Sequence, residues 1–201
     1  MSGGPIEFWF DFSSAYAYFA EPEVQAVAAR HGRGVAWRPF MIGAAFRATG
    51  SRGLSRTPLK SDYALRDWQR IARLRGRPFR LPPHHPSVAL PAVRACHWLE
   101  REAADRVGPF AAAVLRAYFE EGIDTADPGA VAALAATLGL PSDEIAAANA
   151  DPEIKELARQ RSDEAVARGI FGSPWLVVDG EPFWGCDRIT MADLWLERGG
   201  W

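Results

Sequence analysis

Residues 7–20 read Glu7-Phe8-Trp9-Phe10-Asp11-Phe12-Ser13-Ser14-Ala15-Tyr16-Ala17-Tyr18-Phe19-Ala20. The first six form an apolar run heavy in aromatics, the composition of a buried strand. Ser13 and Ser14 break it. Beyond them Tyr16, Phe19, Ala20, Val24 and Val27 recur at three- and four-residue steps, the apolar stripe of an amphipathic helix. The serine pair therefore stands where a strand turns into a helix N-terminus. Unpaired backbone N–H groups and the positive end of the helix dipole face an anion there. A hydroxyl at that point serves as an N-cap, or donates to a bound thiolate, phosphate or carboxylate; the residues leave both readings open.

Working outward, His31-Gly32 ends the helix, and Val35-Ala36-Trp37-Arg38-Pro39-Phe40 reads as a second strand. Strand, helix and strand at this spacing make a βαβ unit with parallel strands. The segment 43–58, rich in Gly, Ser, Thr and Arg, is expected to be an exposed loop or a short irregular helix. Residues 61–75 have a helical pattern. A proline-rich connection (Pro78, Pro82, Pro83, Pro86, Pro91) follows, with His84 and His85 at its middle. Helices are then expected at about 92–106, 110–120, 129–138, 142–149 and 151–168, with Pro109, Pro128, Pro141 and Pro152 near their first turns. At the other end, Trp175-Leu176-Val177-Val178-Asp179 is a strand, Asp179-Gly180 a favoured two-residue hairpin turn, and Glu181-Pro182-Phe183-Trp184 the returning strand. Thr190 to Arg198 closes with a short amphipathic helix.

Composition bounds the class. The chain has 201 residues, 48% of them hydrophobic and 24% charged, with a net charge of −2. That is enough for a sizeable core and sets up no field that would gather nucleic acid or an acidic membrane surface. Arg66, Arg70, Arg73, Arg75, Arg77 and Arg80 form a local basic face, read as solvated or as meeting a partner subunit. Cys96 and Cys186 are far apart and no CxxC occurs, so neither a disulfide framework nor a metal site is indicated. The N-terminus lacks a basic segment followed by an apolar run, and a cytoplasmic protein with reduced thiols is the expectation.

The order βαβ, helical block, proline, ββα is that of the thioredoxin fold with an α-helical insertion. The expected class is thus α/β, with residues 1–42 and 166–201 forming the thioredoxin-like part and 43–165 the insertion. The whole chain resembles the 2-hydroxychromene-2-carboxylate isomerases of the DsbA-like thioredoxin superfamily, relatives of the kappa-class glutathione transferases. Residues 10–18, FDFSSAYAY, are similar to that family's FDFxSPYxY. Lys60-Ser61-Asp62-Tyr63 with Arg66-Asp67 resembles its KxxY…RD helix, 169–175 its GxFGxPxF strand, and 183–188 its WGxDR.

The resemblance implies glutathione as cofactor, a small aromatic acid as substrate and a homodimer as assembly. It implies that the Ser14 hydroxyl holds the glutathione sulfur and that Ser173, before a cis Pro174, pairs its backbone with the cysteinyl part. Cys186 and Asp187 fall where the γ-glutamyl end is bound, with Asp187 meeting the ammonium; Lys60 would lie near the glycyl carboxylate, and Pro174, Trp184 and Gly185 are further cofactor-binding candidates. Phe46, Ser51, Arg52 and His85 are the candidates for the acid substrate's pocket. Four features depart from the family pattern. Ala15 replaces the usual proline, Ser51-Arg52 stands where Asn-Arg is common, 84–89 reads HHPSVA where an asparagine is often found, and Cys186 sits where a small polar residue is common, so that it would contact glutathione only through its backbone. Trp37, Trp68, Trp98 and Trp175 are read as core and interface rather than site. The activity implied is isomerisation by reversible thiolate addition. A kappa-like transferase is the alternative, and a disulfide oxidoreductase or a glutathione-binding module stand behind it.

Overall fold

The computed structural model describes residues 3–201, so the first two residues of the 1–42 segment lie outside it. Strand β1 (Ile6–Phe10) is central. Strand β2 (Val35–Pro39) runs parallel to it, with Trp37 opposite Phe8. Strand β3 (Trp175–Val178) runs antiparallel on its other side, with Trp175 opposite Trp9, and β4 (Glu181–Trp184) forms the edge, giving the order β2-β1-β3-β4. A strand flanked on both sides and covered on both faces reads as a continuous apolar run, which is why β1 shows no alternation. Phe8 and Phe10 stack at 5.0 Å on one face, while Trp9 packs with Phe40, Ala165, Ile170 and Trp175 on the other.

Helix α1 (Ala15–Arg30) follows β1 and carries Pro22 inside it. Proline has no N–H and orphans the carbonyl four residues back, here that of Tyr18. Arg77 Nη1 donates to that carbonyl at 2.8 Å, and its guanidinium lies 3.9 Å from the Tyr18 ring centroid. Arg77 also meets Glu21 at 3.6 Å and Glu120 at 3.7 Å. The basic face is thus not uniformly solvated. Arg66, Arg70, Arg73 and Arg80 are exposed, but Arg75 and Arg77 turn inward to satisfy backbone carbonyls and carboxylates.

The segment expected to be irregular begins with a regular helix, α2 (Ile42–Thr49), closed by Gly50 at φ 69°. The buried Ala44 and Ala45 give it an apolar side that the surrounding Gly, Ser and Arg disguise in the sequence. Only the part around the 3-10 turn Leu54–Arg56 is a loop. Helices α3 (Lys60–Leu74), α4 (Leu90–Glu102) and α5 (Val107–Arg116) then fold over the sheet. Beyond α5 the chain does not stay α-helical to residue 120. It widens into a single π turn, Ala117–Glu121, whose extra residue turns Tyr118 and Phe119 fully into the core. Helices α6 (Pro128–Thr137), α7 (Ser142–Ala148) and α8 (Pro152–Ala167) complete the block, with Pro128 and Pro152 at first positions where the missing N–H costs nothing. The β3–β4 turn has Asp179 at φ 51° and Gly180 at φ 89°, the left-handed pair that the Asp-Gly signal predicts. Helix α9 (Ile189–Arg198) ends the fold. One buried cluster runs from Phe8 and Leu176 in the sheet through Tyr18 and Trp68 to Phe110, Tyr118 and Phe119. Among the described residues no helix is long and apolar enough to cross a membrane.

Candidate functional site

The strand-to-helix turn after β1 meets the segment before β3. Ser14 is the N-cap of α1: its Oγ accepts from Ala17 N at 3.2 Å. The same hydroxyl donates to the carbonyl of Ser173 at 2.8 Å. Ser173 in turn accepts at its own Oγ from Asp11 N at 2.9 Å, and the Ser173-Pro174 peptide bond is cis. Pro174 O accepts from Gly185 N at 3.0 Å, which ties the exit of β4 to the same point. The two readings of Ser14 are therefore not exclusive: it caps the helix and faces the proline segment at once.

Asp11, 3% exposed, organises this junction from beneath. Its Oδ1 accepts from Ser13 N at 2.8 Å and Ser13 Oγ at 2.6 Å, and its Oδ2 accepts from Ile42 N at 2.9 Å, the first residue of α2. Burial pushes its carboxyl above the usual range, against the pull of the hydrogen bonds from Ser13 and Ile42.

A second wall comes from the helical insertion. Tyr16, in the first turn of α1, donates to Asp67 Oδ2 at 2.9 Å, and its ring meets Trp68 edge-on at 6.0 Å. Trp68 meets His85 edge-on at 5.6 Å, and His85 Nδ1 lies 3.1 Å from the Tyr118 hydroxyl. That hydroxyl also accepts from Ser87 N at 3.1 Å. With Ser87 N–H donating into the phenol oxygen, the assignment that uses every proton has the phenol O–H donating to Nδ1, leaving the His85 proton on Nε2. Burial first, then the nearby charges of Arg56 and His84, lowers the His85 pKa from 6.5 to about 4, so the ring is neutral. Burial raises the Tyr118 phenol above its ordinary value; its hydrogen bond from Ser87 opposes the shift, and the charges of Asp11 and Asp124 add to it.

The remaining candidates are placed as follows. Cys186 is buried, and its carbonyl accepts from Arg75 Nη2 at 3.1 Å, while Arg75 Nε pairs with Glu23 at 2.9 Å. Asp187 is exposed and holds Arg188 at 3.0 Å. Trp184 projects from β4, 54% exposed, with its ring edge-on to Phe171 at 4.7 Å and lying against Gly172. Lys60 opens α3 with an exposed side chain. Phe46 is half-buried and its ring covers Gly53, whereas Ser51 and Arg52 are exposed on the loop beside it. Two surface clefts lie away from Ser14, one between β4 and α9 and one beside the C-terminal end of α3. No group of side chains suited to a metal ion occurs among the described residues.

Comparison with known proteins bears on this geometry. The family model for a DsbA-like thioredoxin domain matches residues 5–195. The chain belongs to the DsbA-like thioredoxin family. Within it, the chain is 28% identical to a 2-hydroxychromene-2-carboxylate isomerase of Sphingobium xenophagum, over 95% of this chain and 97% of that one. It is 27% identical to glutathione S-transferase kappa 2 of Caenorhabditis elegans, over 96% of this chain and 92% of that one. A solved 2-hydroxychromene-2-carboxylate isomerase superposes with a TM-score of 0.87 at 23% identity, covering 96% of this chain and 94% of that one. The fold expected from the sequence, a thioredoxin-like sheet interrupted by helices, is the fold of this family.

Four residues of the site escape a reading of the sequence. Asp11 lies inside the quoted motif, but nothing in a strand-end aspartate announces that it will reach α2. Tyr118 depends on a π turn that leaves no local signal. Arg75 was hidden in a run of arginines. Trp68 has the composition of core, and it is buried, yet its indole Nε1 has no hydrogen-bond partner.

Proposed function

We propose that this chain is a glutathione-dependent isomerase interconverting 2-hydroxychromene-2-carboxylate, or a related intermediate of aromatic degradation, and trans-o-hydroxybenzylidenepyruvate. The observation that carries the reading is a serine at a helix N-terminus that faces a cis-proline segment, a junction that contains no cysteine. Ser14 stands at a helix N-terminus, bonded to the residue before a cis proline. Both cysteines are free and buried. The Cys186 thiol is pushed up to about 11, chiefly by burial, so it stays protonated and inert, and burial pushes Cys96 up as well. A sulfur nucleophile at Ser14 has to arrive with a ligand.

The residues present fit a zwitterionic tripeptide thiol. Arg75 Nη1 is buried without a partner beside the Cys186 carbonyl, and Lys60 adds a second cation for carboxylates. Asp187 supplies an exposed carboxylate for an ammonium, and the Ser173 backbone a strand-like edge for the cysteinyl amide. When bound, glutathione supplies a thiolate for reversible addition to an unsaturated carbon, the chemistry that lets a double bond rotate. Ser14 has one proton, and it now goes to Ser173 O. To donate to a thiolate the hydroxyl turns from that carbonyl, while Ala17 N–H keeps hold of its oxygen. The first N–H groups of α1 and the helix dipole favour the anion at the same place.

Titration calorimetry with glutathione, followed by an isomerisation assay with and without it, tests the reading. Heat on binding and equilibration of the chromene acid only when glutathione is present are expected. Conjugation of chlorodinitrobenzene without isomerisation would move the activity to the transferases, and no heat at all would remove glutathione from the account.

A further inference from the structure

The turn that follows β4 is held from within the sheet and from outside it. From within, Gly185 N donates to Pro174 O at 3.0 Å, and Arg188 N donates to Gly185 O at 3.2 Å. Gly185 has φ 110°, a conformation closed to most side chains, and a Cβ there would run into the Asp187 carboxylate. From outside comes Arg75, the residue that ends α3, 111 positions before Cys186 in the chain. Its Nη2 donates to the Cys186 carbonyl at 3.1 Å, and its Nε pairs with Glu23 of α1 at 2.9 Å. One guanidinium thus joins α3, α1 and the turn. Its Nη1 is buried without a partner, a loss that the two bonds it does make must offset. Arg73, two residues earlier, is exposed, so the inward turn belongs to Arg75 in particular. A planar fork serves acceptors on two elements at once, which a lysine ammonium on its flexible stem does poorly. The Cys186–Asp187 peptide bond is trans, and in a trans peptide the C=O and N–H point opposite ways. Holding the carbonyl therefore turns the Asp187 N–H away from Arg75 and sets the backbone from which the Asp187 carboxylate projects.

Resting on the glutathione reading, in which Asp187 meets an ammonium, we propose that Arg75 is a positioning residue for the γ-glutamyl end of the bound thiol, acting through the Cys186 carbonyl. Asp187 is exposed and pairs only with its neighbour Arg188, at 3.0 Å. Packing does not fix its side chain; the fixed part is the backbone it grows from, which Gly185 and Arg75 hold on either side. A carboxylate rooted in one place loses little freedom when an ammonium arrives, so a held turn raises affinity for that end of the ligand. The remainder of the tripeptide, bound at Ser14 and Ser173, is left as it was. The fork achieves this where a charge alone does not, because only the fork reaches Glu23 and Cys186 together.

Calorimetry tests this with glutathione and N-acetylcysteinylglycine, which keeps the thiol, the amide and the glycyl carboxylate but lacks the glutamyl carboxylate and ammonium. The unaltered protein is expected to prefer glutathione. In Arg75→Met that preference is expected to fall about tenfold, with N-acetylcysteinylglycine bound as before. Arg75→Lys keeps a cation beside Glu23, which protects the fold should the methionine variant lose it, and is expected to show the same fall. Equal weakening of both ligands marks a merely structural residue and overturns the proposal. So does a preference that Arg75→Lys retains in full, since the charge alone would then suffice, and so does an unaltered protein that binds both ligands equally well. Failure of glutathione to bind the unaltered protein at all overturns the glutathione reading and the role of Arg75 together. Binding with a preference that neither variant changes strikes Arg75 only.

Discussion

The two walls of the site are built differently. The junction of Ser14, Asp11 and Ser173 uses short polar side chains and backbone, and every hydroxyl in it is engaged. The wall of Trp68, His85 and Tyr118 uses large rings from the helical insertion and leaves a donor unmatched. A closed polar net holds geometry. An aromatic wall built from separate elements can be changed without disturbing the net. The difference predicts that variants of the junction change glutathione affinity and turnover, and variants of the wall change acceptor selectivity.

The largest effect is expected at Ser14. On the proposed reading Ser14→Ala removes the hydroxyl that meets the sulfur and should slow isomerisation by about 10²–10³-fold, measured as kcat at saturating glutathione. It also removes a cap, costing about 1 kcal/mol in chemical denaturation. A Ser14→Ala protein with that stability loss and full turnover would reduce the residue to its cap. Next comes Tyr118→Phe, which leaves the buried Ser87 N–H unmatched and the His85 tautomer unfixed. A loss of about 1–3 kcal/mol is expected, with the acceptor KM rising and glutathione affinity constant; a fall in glutathione affinity instead would erase the distinction between the walls. At Gly172 the Trp184 indole occupies the space that a Cβ would need. Gly172→Ala should therefore displace the half-exposed indole at about 1 kcal/mol, seen as a red shift in tryptophan emission with little change in acceptor KM.

The smallest effect is on the pH dependence of stability. An unfolded imidazole protonates near 6.5, but His85 in the fold only near 4. As pH falls through this interval the unfolded chain takes up the proton first, so stability drops from pH 6.5 down through 4. His85→Gln should flatten that part of the urea-denaturation profile. A profile of unchanged slope would mean the imidazole is as well solvated in the fold as outside it.

Much of the frame was legible from residue order. The apolar run before Ser13, the Asp179-Gly180 turn and the first-turn prolines each impose local geometry through one strong preference, so the sheet ends and helix starts can be read directly. What escaped depends on distant partners. Helix α2 looked irregular because Ala44 and Ala45 gain meaning only once α8 lies against them. Arg77 looked like one more solvated arginine because its task is set by Pro22, in the middle of another helix. For the site, Ser14, Ser173 and Pro174 were visible as a motif, and the structure brings them together. Trp68 and Tyr118 were not, since whether a buried ring carries a spare donor is a property of its neighbours and not of its spacing.

The central strand of this sheet is made first and waits for its antiparallel neighbour. Asp11 and Ser173, which clasp across the junction, are 162 positions apart, so at about 5–20 residues per second a ribosome needs roughly 8–30 s to deliver the second after the first. Throughout that interval β1 has a partner strand on one side only, and its other edge, beside four aromatic side chains, stays open. A nascent chain of this kind is therefore a natural client for chaperones that shield apolar segments, and premature termination before Trp175 leaves a fragment whose first strand, even when paired with β2, has one edge that only another chain can fill.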